Sequence, residues 1–154
     1  GGTIVATGGA QGPGIGSAWN DNGLSTVVAK NITIKNAKVT AVAGTTSSLG
    51  GAGIGGGSCS RGEGITIENS TIIATGSSGG AGIGGGGTAK GLNIKITNSV
   101  VTATGNSHSK LGGGSGIGSG CGVESENITI SNSSVKAVAG TNAKPIGGGN
   151  AKPQ

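Results

Sequence analysis

The chain has 154 residues, enough for one domain of ordinary size, yet 38 of them are glycine and its only aromatic residue is one tryptophan, against a usual glycine share of about 7%. Any core must therefore be thin and built from Ile, Val and Ala, which argues against a conventional globule and for a narrow solenoid. The net charge of +5 comes from lysines spread along the whole chain without interleaved aromatics, which argues against nucleic-acid binding, and no apolar run approaches the roughly 18 residues of a membrane span.

In chain order, the opening GGTIVATGG reads as the tail of a repeat, and GIG follows around Ile15. SAWNDNG comes next, holding Trp19, Asn20, Asp21 and Asn22, and then the first full strand motif, NITIKNAKVTAVAG from Asn31. After the polar TTSSL stands GGAGIGGG, from Gly50 to Gly57, with Ile54 as its only large side chain. GITIENSTIIATG from Gly64 and a second GGAGIGGG, from Gly79 to Gly86 around Ile83, repeat the alternation. NIKITNSVVTATG from Asn93 leads through the polar NSHSKL to the GIG around Ile117, and NITISNSSVKAVAG from Asn127 leads to the last one, around Ile146.

The spacing shows where each repeat is rigid. From the GIG isoleucine to the next ITI is eleven residues in three cases, Ile54 to Ile65, Ile83 to Ile94 and Ile117 to Ile128, and only SAWNDNG lengthens the first. The return path varies, and its extra residues, TTSSL and NSHSKL, are polar, as expected of exposed loops. Within each motif the apolar residues alternate with period two, the strand period. Stacking the repeats makes columns of like side chains: Ile32, Ile65, Ile94 and Ile128; Ile34, Ile67, Ile96 and Ile130; Val39, Ile72, Val101 and Val135; Ala41, Ala74, Ala103 and Ala137. The GIG isoleucines Ile54, Ile83, Ile117 and Ile146 form a fifth column, and these columns are the predicted core. Asn36, Asn69, Asn98 and Asn132 stand at the same corner of every copy, and are expected to stack as a ladder and to supply the left-handed backbone of a tight turn.

This pattern resembles the parallel β-helix proteins. The implied fold is all-β: a single-stranded, right-handed parallel β-helix of about five coils, each of roughly 29–39 residues with three short strands, forming one domain over residues 1–154. More narrowly, GGAGIGGG, GITIENSTIIATG and their alternation resemble repeat arrays of large cell-surface proteins of gut-type Gram-positive bacteria. That resemblance implies a secreted, extracellular location and no particular chemistry. Because the chain opens on Gly1 and its end coils read like interior ones, it is expected to be a segment of a longer protein, or to stack end to end.

Many β-helix proteins cleave polysaccharides, a chemistry that needs clustered acidic residues or a base on one face. One Asp and one Arg fall in different coils, which does not make the calcium-and-base cluster of such lyases. Glu63, Glu68, Glu124 and Glu126 read as solvated turn residues, and His108 as an exposed loop histidine with no metal-ligand neighbours. No catalytic residue, metal or cofactor is expected. Cys59 and Cys121 follow their GIG elements at nearly equal offsets two coils apart, about 10 Å, which favours free thiols; a disulfide over Gly87 or Thr88 stays open.

The expected function is a non-enzymatic structural or adhesive module. The second reading is a carbohydrate-binding or polysaccharide-degrading β-helix, with Trp19, Asn20, Asp21 and Asn22 as its binding cluster, although Trp19 also suits a cover over the thin core. Ice binding ranks lower, because Lys95 interrupts the Thr33, Thr66, Thr129 column while Val42 and Val138 interrupt the one holding Thr75 and Thr104. The expected partners are a glycan or another surface, or further copies of the coil, and the smooth glycine face of GGAGIGGG is the expected site of lateral packing.

Overall fold

A computed structural model describes residues 1–19 and 27–151. The first coil is β1 (Thr3–Thr7), β2 (Ile15–Gly16), β3 (Val28–Lys30) and β4 (Thr33–Lys35); the second is β5 (Lys38–Val42), β6 (Ile54–Gly55) and β7 (Arg61–Glu68). The third is β8 (Thr71–Thr75), β9 (Ile83–Gly84) and β10 (Gly91–Thr97). The fourth is β11 (Val100–Thr104), β12 (Ser107–His108), β13 (Gly112–Gly113), β14 (Ile117–Gly118) and β15 (Glu126–Ser131). A last, partial coil holds β16 (Ser134–Val138), β17 (Ile146–Gly147) and β18 (Asn150–Ala151). The expected five coils are thus four complete turns and a fifth that lacks its ITI strand.

Three parallel sheets form the walls. The V-x-A sheet runs β1-β5-β8-β11-β16, the GIG sheet β2-β6-β9-β14-β17, and the ITI sheet β3 and β4, then β7, β10 and β15. The register matches the sequence columns: Val39 pairs with Ile72, Ala41 with Ala74, Ile65 with Ile94, Ile67 with Ile96, and Ile83 with both Ile54 and Ile117. Parallel pairing in register is the only arrangement that returns every apolar residue to the same inner face, because a one-residue slip would turn the whole set outward. Ile54, Ile65, Ile67, Ile83, Ile96 and Ile117 are completely buried. The columns open at the two ends, where Ile4 is 47% and Ile146 43% exposed.

Left-handed residues make the corners on both sides of each ITI strand. Asn36, Asn69, Asn98 and Asn132 have φ between 47° and 52°, and Asn31, Asn93 and Asn127 between 54° and 60°, with Gly64 filling the equivalent place at 71°. Asn tolerates this region better than other side chains. At the first of these corners the backbone N–H groups of Asn36, Asn69 and Asn98 each donate to a backbone carbonyl of the next coil, and the bonds that use side chains come from the next residue in the chain. Ser70 N–H donates to Ser99 Oγ at 3.1 Å and Ser99 N–H to Ser133 Oγ at 3.1 Å, while each hydroxyl donates back within its own turn. The amide-to-amide contact lies at the other corner, where Asn127 Nδ2 donates to Asn93 Oδ1 at 2.7 Å.

The glycine-rich stretches offer no open outer face. Residues 50–58 and 79–87 are buried, with backbone lying on backbone. Gly55 and Gly84 have φ of 134° and 133°, and a Cβ on either would lie within 1.9 Å of the carbonyl oxygen of the next coil. The expectation of a smooth glycine face for lateral packing is corrected accordingly: the absence of side chains is used up inside the coil stack.

Candidate functional site

The connection from the V-x-A strand to the GIG strand is short in the first, third and fifth coils and long in the second and fourth. The two long loops flank the third coil and are bonded to it. Gly50 N–H donates to Ser78 O at 2.9 Å, Gly79 N–H to Asn106 O at 3.1 Å, and Asn106 Nδ2 to Gly76 O at 2.7 Å. Leu49 leans over the third coil from one side, so close that a Cβ on Gly87 would sit 2.7 Å from Leu49 Cδ2. His108 and Cys121 close in around Gly79, where a Cβ would sit 3.2 Å from His108 Cβ and 2.9 Å from Cys121 Sγ. Bare backbone at Gly79 and Gly87 is what lets the loops approach.

Between these loops lies a cleft of about 450 Å³, lined by Gln11 and Trp19 of the first coil, Ser47, Ser48, Leu49, Ser58 and Cys59 of the second, and residues 108–111 of the fourth. Its volume is within the range of small-ligand sites. Trp19 is 46% exposed and lines this cleft. Asn20, Asp21 and Asn22 lie outside the described residues. Gln11, the serines and residues 108–111 carry no periodicity in the sequence; the only hint of them was that two loops are longer than the rest.

The fourth-coil loop is a small antiparallel hairpin, β12 against β13, widened by β18. His108 braces its turn: Nδ1 accepts from Lys110 N–H and Leu111 N–H, each at 3.1 Å. A ring nitrogen that accepts carries no proton, so in the neutral ring the proton sits on Nε2, which is a donor. His108 is thus half-buried and organises its loop, where the sequence had suggested a plain exposed histidine.

Cys59 and Cys121 are free thiols, half-buried and buried respectively. Thr88 stands between them, its hydroxyl donating to Cys59 Sγ at 3.6 Å. Burial pushes the Cys121 thiol above its ordinary value; the Thr88 and Cys121 backbone N–H groups oppose that rise, and the Cys59 charge adds a little to it. Glu68, Glu126 and Glu124 lie away from the cleft, beside Lys35 at 2.9 Å, Lys90 at 2.8 Å and Lys144 at 3.7 Å. Lys90 draws the Glu126 carboxyl below the usual carboxylate range through its hydrogen bond and its charge. Among the described residues no cluster of three potential metal ligands occurs, and no helix is long and apolar enough to cross a membrane.

A family model described as a beta helix repeat matches residues 1–19, 32–58, 65–87 and 94–121. Comparison with curated proteins and with solved structures gives no match. The matched segments take in the V-x-A and GIG strands of four coils and the ITI strands of three. Since they cover more than half of the chain, it belongs to the beta helix repeat family.

Proposed function

We propose that this solenoid is a non-enzymatic structural and adhesive module of an extracellular, cell-surface protein, joined through its open ends to further coils of the same kind. The observation that carries this reading is the contrast between end and interior coils. Val39, Ile72 and Val101 are each 1% exposed, whereas Ile4, in the same column at the end, is 47% exposed; Ile146 stands in the same relation to the fully buried Ile54, Ile83 and Ile117. Half-covered isoleucines beside unpaired strand edges are ready templates for another coil. The pairing of three of the four glutamates with lysines supports the non-enzymatic reading.

Sedimentation velocity over a wide concentration range tests it. End-to-end growth is expected, and Ile146→Lys should abolish it without unfolding the protein, since that side chain is already half exposed. A monodisperse monomer at every concentration would overturn the reading. The cleft favours a second role on the same scaffold, the binding of a saccharide: an exposed indole face beside several hydroxyl groups is what a sugar ring needs.

A further inference from the structure

We infer that the cleft selects an acidic saccharide, one bearing a carboxylate or a sulfate ester, with the sugar ring on Trp19 and the anionic group at Lys110. This rests on the saccharide reading of the cleft and names its ligand class.

The argument is the hydrogen-bond polarity of the lining. Trp19 offers an indole N–H, Lys110 an ammonium and His108 its Nε2–H, and none of these groups can accept. The serine hydroxyls and the Gln11 amide can do both. Among the described residues no carboxylate lines the cleft. The three glutamates in ion pairs are held elsewhere, and among the described residues Lys110 has no acidic partner. A neutral sugar can pair its donors with the serine hydroxyls and the Gln11 amide but gives the Lys110 ammonium no opposite charge, whereas a carboxylate or sulfate supplies both the charge and acceptors only. The hairpin turn that carries Lys110 is held to the His108 ring by two hydrogen bonds, so the cation sits on a braced loop.

Trp19 is the only tryptophan, and tyrosine is absent, so tryptophan fluorescence reports on the cleft alone. The intact chain is titrated with a sulfated trisaccharide, a uronate trisaccharide, their neutral counterpart and inorganic sulfate. The expected result is a saturable change with one or both acidic sugars, weakened by salt and reduced about tenfold or more in Lys110→Gln, with no loss in Lys136→Gln, which changes the net charge equally outside the cleft. The two acidic arms distinguish a carboxylate from a sulfate ester.

Equal binding of the neutral sugar, an unchanged Lys110→Gln, or the same signal from inorganic sulfate would each overturn the inference. If calorimetry shows neutral-sugar binding that Trp19→Ala abolishes, the saccharide reading stands and only the acidic selectivity falls. No response to any sugar would remove both, leaving the scaffold reading to its own sedimentation test.

Discussion

Gly84 is one of the most tightly constrained residues in the coil stack. Its φ of 133° aims a would-be Cβ at Gly118 O, 1.8 Å away and part of the backbone, so nothing nearby can yield. Gly84→Ala should lower stability by about 3 kcal/mol or more, from strain and overpacking together. Gly9→Ala, where nothing lies within 4 Å, should be close to neutral; urea denaturation of the two variants checks the contrast. The thiols differ as sharply. Cys121 is fully buried and its ionisation is disfavoured, while Cys59 borders the cleft. Iodoacetamide at pH 8 should label Cys59 at least about tenfold faster, because the thiolate is the reactive form. A raised thiol pKa also means that the unfolded chain ionises first, so the stability held in Cys121 is complete at low pH and is lost as pH rises past about 8.5.

Among the elements, the corner after each ITI strand shows best what could and could not be read in advance. The inward columns were legible because period two leaves one arrangement that buries all the isoleucines. The left-handed asparagines were legible too, since few side chains accept that backbone. The serine that follows three of the four asparagines carries no such signal: Ser70, Ser99 and Ser133 look like ordinary turn residues until stacking sets each hydroxyl against a backbone N–H of the preceding coil. Ser99→Ala removes the acceptor for the buried Ser70 N–H, and should cost about 1–3 kcal/mol. Ser133→Ala, on a more exposed coil, should cost less than half of that; thermal melts would show the difference. The cleft was illegible for a different reason. Its residues come from three coils and are polar and aperiodic, so only the excess length of TTSSL and NSHSKL marked the loops that bring them together, with Trp19 the one member that chemistry alone could suggest.

For the whole molecule, stability depends on how many neighbours a coil has. The second and third coils are covered on both sides, whereas the outermost strands have one partner each. Since a solenoid is held by nearest-neighbour interfaces, opening should begin at the ends. Native-state hydrogen exchange is expected to be slowest for amides of β8, β9 and β10 and fastest for those of β1 and β16. Uniform protection from end to end would mean that the stack unfolds as one cooperative unit.

The alternation of short and long loops has a consequence for how such a cleft changes over time. The third coil acts as a spacer: its short loop and bare glycines hold the two long loops two coil rises apart, about 10 Å. Because every coil presents the same columns above and below, duplicating or deleting a short-loop coil leaves the core in register while changing that gap by about 4.8 Å. The width of the opening is therefore counted in whole repeats, and a lineage of such modules could refit its cleft by unequal crossing-over without changing a single residue that lines it.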